Sequence, residues 1–313
     1  MDGILNINKP GGKTSFSVVA LVRRLTGERR VGNAGTLDPA ASGVLPVCFG
    51  QGTRIVEFLV DTVKIYRAEI ELGVTTDTYD GEGKITRRED CSGVSRTLVE
   101  SALAAFSGEI RQAPPMYSAA KYQGKPLYRL ARAGITIERK TRPVQVHKLE
   151  IIDWQPPLVT VDIVCGKGTY IRSLAHDLGQ NLGCGAYLRN LVRLRCGLFD
   201  INDAVSLEQL EEAALRGDWQ SLVYPVDSAL QYLAEVKVSE EDRQNILHGR
   251  PVILGDLVAD SEVTDRSLIA TGRSVSDARL RAYALDGRFL GVLRFNTERY
   301  HWQPEKVFHS KGG

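Results

Sequence analysis

Apolar and polar residues alternate along "KIYRAEIELG", with Tyr66, Ala68, Ile70 and Leu72 on one face and Arg67, Glu69 and Glu71 on the other. A period of two predicts a half-buried strand. Elsewhere the spacing is helical. In "TSFSVVALVRRLTG", Thr14 or Ser15 can cap a helix with Val18, Val19, Val22 and Leu25 on its apolar face, and Gly27 ends it. "SRTLVESALAAFSGEI" predicts a second helix, with Leu98, Leu103 and Phe106 inward and a stop at Gly108. "VTVDIVCGKGTYIRSLAHDLGQNLG" reads as strand, glycine turn and helix. There Thr169 is the expected cap, and Ile171, Leu174, Ala175 and Leu178 form the buried stripe. A further helix opens at Ser206 with the capping-box pair Ser206 and Gln209.

From about residue 235 the pattern changes to short strands and turn signals. "RAYALDGRFLGVLRF" predicts a hairpin around a two-residue turn, Asp286-Gly287. The boundary is expected near residue 234, with an α/β domain over 1–234 and a small, mostly β domain over 235–313. At 313 residues and 43% hydrophobic composition the chain has enough apolar material for two cores.

Net charge is only +2, but it is unevenly placed. Between Arg111 and Glu150 stand nine bases (Arg111, Lys121, Lys125, Arg129, Arg132, Arg139, Lys140, Arg142 and Lys148) against Glu138 and Glu150. Such an excess suits a polyanion; it also fits an ordinary solvated face. The five cysteines have no CxxC pair or zinc spacing, which argues against a disulfide framework. The start, "MDGILNINKP", lacks the basic and apolar run of a signal peptide, and no stretch approaches the roughly 20 apolar residues of a membrane helix. A soluble, reduced, cytoplasmic protein is expected.

Several chemistries fall away on spacing. "PGGKTS" ends like a P-loop, but Ile7 occupies the place of its first glycine. The histidines show no metal-ligand spacing, so no metal is expected. His176, beside Asp177 on a predicted helix, reads as a surface or core histidine. What remains is "VGNAGTLDPAASGVLP", residues 31–46, a tight loop around one acid, Asp38. Pro39 pushes Asp38 toward extended backbone, and Gly35 and Gly43 allow sharp turns beside it. Arg172 falls in the first turn of its helix, where the dipole disfavours a cation, so an anionic partner is expected, Asp38 or a phosphate. Tyr66, on the inward strand face, is either a core ring or one that stacks on a base.

These residues carry a resemblance. "VGNAGTLDPAASGVLPVCFGQGTR" resembles the active-site motif of the TruB family of tRNA pseudouridine synthases. The likeness continues through "ILNINKPGGKTSFSVV", "KIYRAEIELGVTTDTYD", "PPMYSAAKYQGKPLYRLAR", "CGKGTYIRSLAHDLG" and "GAYLRNLVRLRCGLF", in family order to about residue 199. The resemblance implies an α+β fold with a central, mostly antiparallel sheet flanked by helices, followed by a PUA-like RNA-binding domain. It implies Asp38 as the catalytic aspartate, Arg172 as its partner, Tyr66 stacked on the target base and Leu191 lining the uracil pocket. Lys9 and Pro10 match a block packed beside the catalytic loop. Residues 111–145 match a thumb-like insertion, with Lys121, Lys125, Arg129 and Arg132 for RNA phosphates.

The implied reaction is isomerisation of uridine to pseudouridine at position 55 of the tRNA T-loop, after base flipping and without a cofactor. A monomer is expected. Two features depart from the family. Asn33 stands where a histidine usually fills the space of the flipped nucleotide, and Val192 interrupts a run often made of paired arginines. Asparagine hydrogen-bonds but stacks poorly. Two alternatives stay open on sequence: a non-catalytic tRNA-binding or folding protein, and an RNA-guided pseudouridylase within a ribonucleoprotein.

Overall fold

The alternating stretch is strand Lys64–Leu72, at the centre of a large sheet. The computed structural model describes residues 1–254 and 278–309. Strand order runs Gly3–Lys9, Ser42–Phe49, Ala186–Cys196, Lys64–Leu72, Leu158–Cys165, Arg142–Gln155, Gly108–Gln112. From Ala186–Cys196 to Gly108–Gln112 every pairing is antiparallel. Ala186–Cys196 meets Ser42–Phe49 in parallel, with Val192 opposite Ser42 and Arg193 opposite Gly43. The expected mixed fold with a mostly antiparallel sheet is present. Register then does the positioning: Tyr66 lies opposite Arg193 and Leu191 opposite Ala68, so three site-bearing side chains come from adjoining strands.

The chain divides into two compact units, one of residues 5–48 and 59–223, the other of residues 1–4, 49–58 and everything from 224 onward. The division thus falls at 224 rather than 234. The second unit also recruits two N-terminal segments, which a change of composition along the chain does not reveal. Of the expected domain 235–313, residues 255–277 and 310–313 lie outside the described residues.

Local signals set most helix ends. Helix Ser15–Thr26 begins at Thr14, whose side chain accepts from Ser17 N, and ends at Gly27 with φ 69°. Val18, Val19 and Val22 are buried and Leu25 half-buried. Helix Leu207–Arg216 has both halves of the Ser206–Gln209 capping box. Helix Arg96–Ala104 corrects the expected face: Val99, Ala102 and Leu103 are buried, while Leu98 is 52% exposed. The helix stops before Phe106, which is half-buried, and Gly108 opens a strand instead.

Helix Ile171–Leu182 begins at Tyr170, not at Thr169. The Thr169 hydroxyl donates to Gly166 O at 3.1 Å and closes the glycine turn. Tyr170 is held from a distance, because the Gln112 amide accepts from its N–H at 2.7 Å and donates to its carbonyl at 2.9 Å. A buried glutamine 58 residues away thus fixes where this helix starts.

The second unit has a four-stranded sheet, Ala234–Val238, Arg279–Ala284, Phe289–Asn296, His301–Val307, over a core that includes Val236, Ile246, Leu280, Leu293 and Trp302. Its hairpin loop has three residues rather than two. Ala284 exchanges hydrogen bonds with Gly287 and Arg288, and Gly287 takes the left-handed place at φ 83°.

Gly43, in strand Ser42–Phe49 just after the Asp38 loop, packs tightly against strand Ala186–Cys196. It has φ 99°, and a Cβ there would lie 2.2 Å from Arg193 O. Gly43→Ala is therefore expected to cost upward of about 2 kcal/mol, from backbone strain plus overpacking. Urea unfolding measures this, and an unchanged midpoint would contradict the close approach.

Candidate active site

The Asp38 loop is tied down on three sides. The Ser15 hydroxyl accepts from Leu37 N at 2.9 Å and donates to Leu37 O at 3.0 Å. The Lys9 ammonium donates to Pro39 O at 3.1 Å, Pro10 O at 3.0 Å and Lys13 O at 2.6 Å. Gly12 N also donates to Pro39 O, at 2.9 Å. From the sheet, Arg193 Nε donates to Val44 O at 2.6 Å and Nη2 to Gly35 O at 2.8 Å. Lys9 and Arg193 are among the largest fully buried side chains, and these carbonyls satisfy donors that would otherwise be costly to bury. Burial pushes the Lys9 ammonium down to about 8, against the opposing pull of Asp38.

Arg172, 5% exposed in the first turn of its helix, meets two acids. Its Nη2 donates to Asp38 Oδ1 at 3.1 Å and Nε stands 2.9 Å from Asp38 Oδ2. Nη1 lies 3.2 Å from Asp80 Oδ2. Two carbonyls complete the shell: Nη1 donates to Thr78 O at 3.3 Å and Nη2 to Tyr117 O at 2.8 Å. A cation at a helix N-terminus loses about 0.3–1 kcal/mol to the dipole. Breaking a buried pair costs about 3–5 kcal/mol, so the pairing decides the placement. Exposed pairs such as Arg96–Glu100, by contrast, contribute only about 0.2–1 kcal/mol.

Asp80 is the acid that sequence reasoning missed. Its Oδ1 is occupied by the Thr78 hydroxyl at 2.5 Å and Glu82 N at 3.1 Å, which leaves Oδ2 for Arg172. Burial raises the Asp38 carboxyl above its ordinary range; Arg172 opposes the rise and Asp80 adds to it.

Asp38, Arg172, Tyr66 and Leu191 line one cavity of about 240 Å³, together with Lys64 and Arg193. Asp38 keeps 41% of its side-chain surface exposed there. Burial raises the Tyr66 hydroxyl, with Arg193 pulling the other way. Lys64 caps the end of the short helix Val56–Val60, donating to Leu59 O at 3.2 Å and Thr62 O at 2.5 Å, and to Val60 O. Arg193 was also missed. The signal was its phase: it shares the inward face of its strand with Leu191.

The remaining expected residues lie outside the cavity lining. Lys9 and Pro10 support the loop from behind. Asn33 ends the short strand Val31–Asn33, and its amide donates to Thr36 Oγ1 at 3.3 Å. Lys121 and Lys125 sit on a two-stranded hairpin turned at Gln123 (φ 48°) and Gly124 (φ 81°), followed by helix Leu127–Arg132 with Arg129 and Arg132. All four bases are exposed, and none has an ion-pair partner among the described residues. Arg132 lies over the Tyr128 ring, 5.5 Å from its centre. The five cysteines are free. No helix among the described residues is long and apolar enough to cross a membrane.

Fold and register thus bring an aspartate, its arginine partner, a tyrosine and a leucine to one cavity. Residues 23–171 match the family model for the N-terminal domain of TruB family pseudouridylate synthases. Residues 172–231 match that of the tRNA pseudouridylate synthase B C-terminal domain. A Dehalococcoides mccartyi tRNA pseudouridine synthase B is 43% identical over 98% of this chain and 97% of its own. One from Clostridium kluyveri is 42% identical over 93% and 95%. Among solved structures, one chain of a Cbf5–Nop10–Gar1 complex superposes with a TM-score of 0.73 at 24% identity, over 99% of this chain and 85% of that one, a likeness of fold. The chain belongs to the TruB family of pseudouridine synthases.

Turnover that depends on ionised Asp38 is expected to be lost as pH falls through its raised pKa, since the protonated acid can neither attack nor accept a proton. Asp80→Asn removes a neighbouring negative charge and is expected to move the pH–rate midpoint down. Arg172→Gln removes the opposing positive charge and is expected to move it up. Midpoints unmoved in both variants would contradict the shared clamp.

Proposed function

We propose that this protein converts uridine to pseudouridine at position 55 in the T-loop of tRNA, with Asp38 as the catalytic residue. The observation that carries the reading is the meeting of Asp38, Arg172, Tyr66 and Leu191 in one cavity, on a chain of the TruB family. The reaction breaks the N1–C1′ bond, turns the base and joins C5 to C1′, with no atom gained or lost. One ionised carboxylate serves such chemistry by attacking C1′, adding to the base, or removing the 2′ proton. Arg172 holds that carboxylate in orientation. The Tyr66 ring and the Leu191 side chain keep the detached uracil aligned and exclude water, so rejoining outruns hydrolysis.

A uridine in a folded loop must leave its stack to reach Asp38. The exposed hairpin and helix bearing Lys121, Lys125, Arg129 and Arg132 fit the RNA backbone, whose phosphates are met by unpaired bases. We assign the insertion 111–145 that role, with Asn33 contacting RNA at the edge of the catalytic loop. The C-terminal unit serves as a PUA-like RNA-binding domain, and the protein works as a cytoplasmic monomer.

Purified protein incubated with tRNA and no other factor is expected to yield pseudouridine at position 55. No product would fit a binder or a guided enzyme instead. Asp38→Asn is expected to abolish product while tRNA affinity stays within about tenfold, since the carboxylate acts in the transition state more than in binding. Reversing Lys121, Lys125 and Arg129 to Glu should weaken tRNA binding and flatten its salt dependence, by roughly one unit of slope for each phosphate no longer neutralised. An unchanged slope would remove the insertion from the RNA interface.

A further inference from the structure

Tyr79, immediately before Asp80, has φ 66°, a left-handed conformation that bulky residues rarely adopt. Its ring lies stacked on His176, centroids 3.9 Å apart and planes 12° from parallel. Two backbone bonds surround the kink: Tyr79 N donates to Thr76 O at 3.3 Å, and Tyr79 O accepts from Leu188 N at 3.0 Å. On either side of Tyr79 the chain delivers the two groups that grip Arg172 from this loop, the Thr78 carbonyl and the Asp80 carboxylate.

His176 comes four residues after Arg172 in helix Ile171–Leu182, so the two side chains project from one face, a turn apart. One helix therefore both receives the Asp80 carboxylate and holds down the ring next to it. The His176 Nδ1 is buried with no hydrogen-bond partner. Burial, with Arg139 nearby, lowers its pKa. A half-buried imidazole whose buried Nδ1 makes no hydrogen bond is held for the face of its ring, not for that polar atom.

We propose that His176 is a positioning residue for the reaction, keeping Asp80 on Arg172 by stacking on Tyr79, and through Arg172 setting the orientation of Asp38. The proposal rests on the catalytic reading of the Asp38–Arg172 pair. If the stack is what matters, an aromatic ring without nitrogens replaces histidine and a small side chain does not. The effect belongs to the chemical step, because neither ring lines the cavity and the groups beside Tyr79 grip Arg172, the partner of Asp38.

The test uses the full chain, tRNA and single-turnover pseudouridine formation. His176→Ala is expected to slow the rate constant by at least about tenfold while half-saturating tRNA stays within about twofold. His176→Phe is expected to restore the rate to within about threefold of the parent. Tyr79→Leu should resemble His176→Ala, and serves in its place should that variant not fold. On an Asp80→Asn background, His176→Ala should add less than about twofold, because residues acting in series are not additive. A His176→Phe variant as slow as His176→Ala, a His176→Ala variant at the parental rate, or full additivity with Asp80→Asn would each overturn the proposal. A parent that makes no pseudouridine would instead overturn the functional reading on which it stands.

Discussion

One guanidinium shared by two carboxylates organises this site. Arg172 lies between Asp38 and Asp80, nearly removed from solvent, at a helix end whose dipole repels it. Neither acid alone accounts for the arrangement. Asp80 is fully committed, with one oxygen bound to Thr78 and Glu82 and the other facing Arg172. Asp38 gives both oxygens to the guanidinium yet keeps surface in the cavity. The buried acid therefore anchors the arginine, and the arginine presents the half-buried acid that opens on the cavity. This division of labour leaves a single loop carboxylate well placed and still open to the cavity.

The loop around Asp38 is rigid for the same kind of reason. Its carbonyls serve as acceptors for Lys9, Gly12, Ser15 and Arg193, which arrive from the first strand, the first helix and its preceding turn, and the centre of the sheet. Lys9, Ser15 and Arg193 need the loop carbonyls because they are buried, and the loop needs the donors because it lacks regular structure of its own. Gly43 lets the two strands approach closely enough for Arg193 to reach across.

Much of this was legible in sequence, and the contacts that were missed share a cause. Strand Lys64–Leu72, the capping box at Ser206 and the stop at Gly27 are local patterns that the structure bears out, whereas the Thr169 cap, the Leu98 face and the two-residue turn at Asp286-Gly287 are local patterns that it overturns. Asp38, Tyr66, Arg172 and Leu191 came from motif blocks, and the fold brings them to one cavity. Asp80 was hidden among the acids of "TDTYDGEG", where spacing does not say which one turns inward. Arg193 resembled any surface base until its strand phase placed it inward beside Leu191. Gln112 fixes the Tyr170 end of a helix far along the chain, and Thr169, the local candidate, is used elsewhere. Long-range polar contacts leave no periodicity to read.

Placement of Asp38 depends on the fork geometry of Arg172 rather than on its charge. Arg172→Lys keeps the charge but cannot span Asp38, Asp80 and two carbonyls together. Single-turnover pseudouridine formation in tRNA by this variant, with folding checked by circular dichroism, measures that difference. The expected result is a folded protein that binds tRNA and reacts at least about a hundredfold more slowly. A folded lysine variant working at close to the parental rate would contradict the shared fork.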